Sequence, residues 1–145
     1  MLFSYMCYNF FSDPPYIDRR PEFTKLAFAR GAPATLICRA SGFPQVDFTW
    51  FIKRGRPDDM MEKVGLKHRD RGESVYEAER IYGPQFQSAT YDSILEIDNV
   101  RTEHYSTLFR CEAVNKFGAA STDIQVDMKS QFFMFSNVIF YRFKV

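Results

Sequence analysis

Alternation with a period of two runs through most of the middle of this chain. Between residues 34 and 40, Leu36, Cys38 and Ala40 fall on one face of an extended segment. Phe48, Trp50 and Ile52 do the same over 47–53, and Phe109, Cys111 and Ala113 over 109–115. Two further runs read alike: Tyr91, Ser93, Leu95 and Ile97 over 90–97, and Thr122, Ile124 and Val126 over 119–127. An edge strand over 23–28 and another strand over 74–82 complete the set. The inward residues predict a core built on Leu36, Trp50, Leu95, Ile97 and Phe109.

Punctuation between the runs fits short connections. Pro14 and Pro15 suit an extended edge, because proline lacks the donor a central strand needs. Arg30-Gly-Ala-Pro33, Gly42-Phe-Pro44 and Gly83-Pro84 mark turns, and residues 115–118 read as a hairpin turn in which Gly118 supplies a positive φ. Residues 58–87 form a long connection with mixed charges, interrupted by the 74–82 strand. No internal repeat is present. Many short strands with regular turn signals predict an all-β fold of two sheets packed face to face.

Cys38, Trp50 and Cys111, with Ala40-Ser-Gly-Phe-Pro44, Ser93-Ile-Leu-Glu-Ile97 and Cys111-Glu-Ala-Val-Asn-Lys-Phe-Gly118, resemble the immunoglobulin superfamily in its intermediate, or I-set, form. The resemblance implies an immunoglobulin-like β-sandwich of two antiparallel sheets with Greek-key connections. It also implies that Cys38 and Cys111 pair. A disulfide places the domain in an oxidising compartment; the alternative is an intracellular domain that keeps both cysteines reduced in its core. Cys7 is left over as a free thiol.

The family usually carries Asp-x-Gly-x-Tyr-x-Cys at the corner before the second cysteine, its tyrosine hydroxyl bonding back to the main chain. Counting back from Cys111 puts Phe109 at the tyrosine position. Counting forward from Val100 puts His104 at the aspartate and Ser106 at the glycine. The mismatch of one residue predicts an insertion, accommodated as a bulge, with the corner either lacking its hydroxyl bond or taking it from Tyr105.

Composition narrows the function. At 145 residues the chain holds one ordinary domain, and its net charge of +1 gives no field for nucleic acid. The domain is expected over 14–129, flanked by an aromatic arm at 1–13 and a hydrophobic, poorly ordered tail at 130–145. The arm lacks the basic start and small-residue cleavage site of a secretory signal, and the tail is too short to cross a bilayer. Both ends either are translated flanking sequence or are real arms of the protein.

Catalysis needs a positioned nucleophile and a proton carrier, and the chain has only His68 and His104, both expected to be solvated surface residues. No nucleophile elbow, zinc-binding or phosphate-cradling motif occurs, so no enzyme, cofactor or metal is expected. Asn9, Asn99, Asn115 and Asn137 all fail the glycosylation pattern. The basic residues Lys53, Arg54, Arg56, Lys63, Lys67, Arg69 and Arg71 are interleaved with acids and read as a solvated loop rather than a site for sulfated glycans or phospholipid.

What remains is recognition by a surface. In the family the sheet holding strands C, F and G, here 47–53, 109–115 and 119–127, is the usual binding face. Its outward residues are Thr49, Phe51 and Lys53, then Arg110, Glu112 and Val114, with Phe51 the aromatic anchor. The alternative for Phe51 is burial under the segment that follows its strand. The resemblance to adhesion molecules of the nephrin and echinoid kind implies an extracellular or cell-surface module with a homophilic or heterophilic protein partner. An intracellular, sarcomeric module of the titin kind and a truncated product without a role of its own are the other readings.

Overall fold

The computed structural model describes residues 13–55, 58, 60–65, 72–82 and 88–129, and the backbone of 131–135 and 138–142. The arm expected at 1–13 therefore lies, apart from Asp13, outside the described residues, as do Cys7 and His68.

Among the described residues, ten strands make two five-stranded sheets. The first orders β1 (Asp13–Ile17), β3 (Ala34–Phe43), β8 (Ala89–Ile97) and β6 (Glu73–Val75), with β7 (Glu79–Tyr82) also pairing β8. The second orders β2 (Lys25–Phe28), β10 (Gly118–Met128), β9 (Leu108–Asn115), β4 (Asp47–Lys53) and β5 (Glu62–Val64). Pairing is antiparallel except where β2 runs parallel to β10. A separate hairpin joins β11 (Gln131–Phe135) to β12 (Val138–Arg142). The short helix α1 (Pro21–Thr24) carries the chain from the first sheet to the second, with proline at its start where a missing N–H costs nothing.

The core lies between the sheets. Leu36, Trp50, Leu95 and Phe109 are fully buried, and Ile97 is 1 % exposed. Thr122, Ile124 and Val126 also point inward from β10.

Two cross-ties stand side by side. Cys38 on β3 is bonded to Cys111 on β9. Their lateral neighbours in register are Ser93 on β8 and Trp50 on β4, and the Trp50 indole N–H donates to Ser93 Oγ at 2.9 Å. One covalent link and one buried hydrogen bond thus clamp four central strands, and the indole's polar atom is satisfied where burial would otherwise penalise it.

One pole is locked by Asn115. Its Nδ2 donates to Asp13 O at 2.8 Å and Pro44 O at 3.2 Å, and its Oδ1 accepts the Phe117 N–H at 2.9 Å. The hairpin turn does not place Gly118 at positive φ. Gly31 and Gly72 take that conformation, at 87° and 81°. At Gly118 the constraint is proximity: a Cβ there would lie 3.2 Å from Pro14 Cβ.

Other differences have local causes. The strand expected over 34–40 continues to Phe43, and a cis Phe43–Pro44 peptide then makes the turn. The edge strand expected over 23–28 begins with α1, so only Lys25–Phe28 is extended. The strand expected over 74–82 is two, β6 and β7, because both Tyr76 and Glu77 between them are exposed and the alternation fails. Finally, β9 pairs β4 without a register break from Asp47↔Val114 to Lys53↔Leu108. No bulge accommodates the inserted residue. The stretch instead forms a 3-10 turn at Thr102–Ser106.

Candidate interaction face

The outward side of the second sheet is built from residues that alternate with the core. Register sets them in rows. Lys63 on β5, Phe51 on β4, Arg110 on β9 and Asp123 on β10 stand side by side across four strands. Thr49, Glu112 and Ser121 form the row on one side of it, and Lys53 with Leu108 the row on the other. Phe51 is half-buried by its neighbours and stands apart from the core cluster. β5 lies beside it in the plane of the sheet. Arg110 forms a fork to Asp123, Nε to Oδ1 at 2.7 Å and Nη2 to Oδ2 at 3.2 Å. The two side chains are 40 % and 46 % exposed, so this pair fixes the shape of the face more than it stabilises the fold.

Thr49, Phe51, Lys53, Arg110 and Glu112 thus share one face, with Lys53 exposed and the other four half-buried. Lys63, expected in a solvated basic loop, and Asp123, which sequence reasoning did not assign to the face, extend the row. β5 is three residues long with one apolar side chain, too short for an alternation to register.

His104 was expected on the surface and is instead fully buried. Its Nδ1 accepts the Arg101 backbone N–H at 2.8 Å, which puts the ring proton on Nε2, facing Glu73 Oε1 at 3.3 Å. Glu73 is 2 % exposed and takes a two-pronged bond from Arg54, both contacts at 3.0 Å. Burial pushes the Glu73 carboxyl up, but bonds from His104 and Arg54 outweigh it and hold it below its ordinary value of 4.5. The bond to Glu73 raises Arg54 in turn. Arg54 Nε is left without a hydrogen-bond partner among the described residues, with Glu62 Oε2 4.0 Å away.

Beside this cluster, Tyr105 O–H donates to Phe28 O at 2.8 Å. The corner therefore keeps a hydroxyl bond to the main chain, supplied by Tyr105 rather than from the position of Phe109. Among the described residues no group of three or more His, Cys, Asp or Glu side chains is placed to hold a metal. No helix among them is long and apolar enough to cross a membrane.

The sequence profile of the family described as "Immunoglobulin domain" matches residues 14–115. The chain belongs to that family. Among proteins, nephrin of Rattus norvegicus is 34 % identical over 114 residues, covering 77 % of this chain and 8 % of that protein. Nephrin of Homo sapiens is 32 % identical over the same length, with the same coverage of 77 % and 8 %. A titin homolog of Caenorhabditis elegans is 30 % identical over 97 residues, 57 % of this chain and, rounded, 0 % of that protein. Among solved structures, Dpr2 Ig1-Ig2 in complex with DIP-Theta Ig1-Ig3 gives a TM-score of 0.54 at 18 % identity, covering 81 % of this chain and 33 % of that one. Rst D1-D2 gives 0.52 at 21 % identity, covering 82 % and 50 %. These structural likenesses speak to the fold. This immunoglobulin domain, of the nephrin kind, spans less than a tenth of the curated nephrins it matches.

Proposed function

We propose that the chain is a non-catalytic, protein-binding immunoglobulin-like module of the intermediate set, acting in adhesion or recognition at the cell surface. The observation that carries this reading is the outward row Lys63–Phe51–Arg110–Asp123. It centres an aromatic ring among charges of both signs, the composition of an interface anchor with a polar rim. Thr49, Lys53 and Glu112 flank it and set register with a protein partner, a second copy of the chain or another protein. The Cys38–Cys111 bond and the nephrin relatives support an extracellular location.

The test is Phe51→Ala in the full chain displayed on beads. Aggregation of wild-type beads, or their capture by cells bearing a partner, is expected to fall at least tenfold in the variant with its melting temperature nearly unchanged. Unchanged binding together with a sharply lowered melting temperature would make Phe51 a structural residue and remove the reading. The titin-homolog match favours a second reading, an intracellular structural module. Alkylating free thiols in the native source before digestion separates the two. A linked Cys38–Cys111 peptide fits the surface module, and two alkylated cysteines fit the intracellular one.

A further inference from the structure

The outward rows of the second sheet hold their charges in an order. Across β5, β4, β9 and β10 the central row reads Lys63, Phe51, Arg110, Asp123. Lys53 stands on β4 in one flanking row, and Glu112 stands on β9 in the other. Lysines therefore edge the face on β4 and β5, and carboxylates edge it on β9 and β10, where the Arg110 fork is turned to Asp123. Asp47, at the start of β4 opposite Val114, is the exception. Lys63 and Asp123 are both exposed. Three strand spacings, about 14 Å, separate them, so the two cannot pair within one chain.

We propose that the occupant of this face is a second copy of the chain, docked face to face about a two-fold axis that runs along the strands midway between β4 and β9. The inference rests on the proposed adhesion face and names its partner. Such an axis reverses the order across the sheet and keeps each row level with itself. Lys63 of each copy then meets Asp123 of the other, and the contact occurs twice because the interface is isologous. Phe51 meets the second copy's Arg110, a guanidinium over an aromatic ring. In the flanking rows Thr49 comes opposite Glu112, a hydroxyl donor facing a carboxylate, and Lys53 lays its stem on Leu108.

No like charges are opposed in these rows. A two-fold axis running across the strands would instead set Lys63 on Lys63 and Asp123 on Asp123, which repulsion disfavours. The order of charges thus selects the register as well as the partner. A face that carries its own complement in reverse is matched by a copy of itself.

The test is sedimentation velocity of the full chain, as wild type and as charge variants. The wild type is expected to form a reversible dimer whose share rises with concentration. Lys63→Glu and Asp123→Lys should each weaken self-association at least tenfold, since each sets two like-charge pairs in the contact. The double variant should recover it. An equimolar mixture of the two single variants should recover it too, because every reversed charge again meets its opposite. Lys63→Glu leaves the Arg110–Asp123 fork in place, so a loss there with the melting temperature unchanged reports the contact and not the fold. A wild type that stays monomeric, single variants that associate as the wild type does, or a double variant as weak as the singles would each overturn the proposal. Suppose the wild type is monomeric, yet cells bearing a different protein capture it in a manner that Phe51→Ala abolishes. The adhesion face then stands, and only the second copy is removed as its occupant. If Phe51→Ala dimerises and is captured as well as the wild type, both readings fall.

Discussion

Glu73 and His104 are buried side by side, and the half-buried Arg54 closes the cluster over them. The carboxylate takes the Arg54 fork and the His104 Nε2 proton, so its folded value lies below 4.5 although burial alone would raise it. A carboxyl lowered on folding contributes stability that is complete above its unfolded value and is lost as the pH falls through the folded one. The window therefore begins near pH 4.5 and extends downward. Glu73→Gln should destabilise the domain by about 3 kcal/mol at pH 7, because it strands the Arg54 charge in a site with little water. The gap between variant and wild type should narrow as the pH drops below 4.5. Urea midpoints at pH 7 and at pH 3.5 check both statements, and a gap that widened in acid would reverse the sign.

At the scale of elements, the corner before β9 shows how a departure from family wording is absorbed. The stretch that departs from the family wording forms a 3-10 turn, and the β4–β9 register beside the disulfide runs unbroken. Tyr105 then ties the turn to β2 through Phe28 O, which also accepts the Lys129 N–H at 3.1 Å. Burial pushes the Tyr105 phenol above its ordinary range, so the bond persists through neutral and mildly alkaline conditions. Tyr105→Phe should cost about 1 kcal/mol and speed amide exchange in β2 more than in β9. Equal exchange in the two strands would show that the bond does not hold the turn.

The five alternating runs were legible because apolar side chains fill most of the alternate positions, with Ser93 and Thr122 the polar exceptions. Other elements escaped for stated reasons. β5 has a single apolar residue, α1 is four residues long, and the exposed Tyr76 and Glu77 split one strand into two. The outward face followed from the same alternation, whereas Lys63 and Asp123 needed strand order to bring them beside Phe51 and Arg110. His104 could not be placed from sequence, since its burial depends on Glu73 and Arg54, which are distant in the chain.

For the whole molecule, the two cross-ties divide the work unequally. The disulfide joins residues 73 positions apart, and a loop of that length restricts the unfolded chain enough to stabilise the fold by about 4 kcal/mol in the chain-entropy model. Set against the ~5–15 kcal/mol typical of a domain, that is a large share. The Trp50–Ser93 bond acts in the folded state alone and contributes on the order of 1 kcal/mol. Replacing Cys38 and Cys111 together by alanine removes the covalent constraint and also two buried sulfurs, so the loss should reach at least 4 kcal/mol. Reducing the wild-type bond without substitution isolates the constraint, because both sulfurs stay in the core. The reduced protein should therefore melt between the oxidised wild type and the double variant, measured by calorimetry with and without a thiol reductant. If reduction left the melting temperature unchanged, sheet packing alone would hold the sandwich, and the bond would cease to bear on which compartment the domain needs.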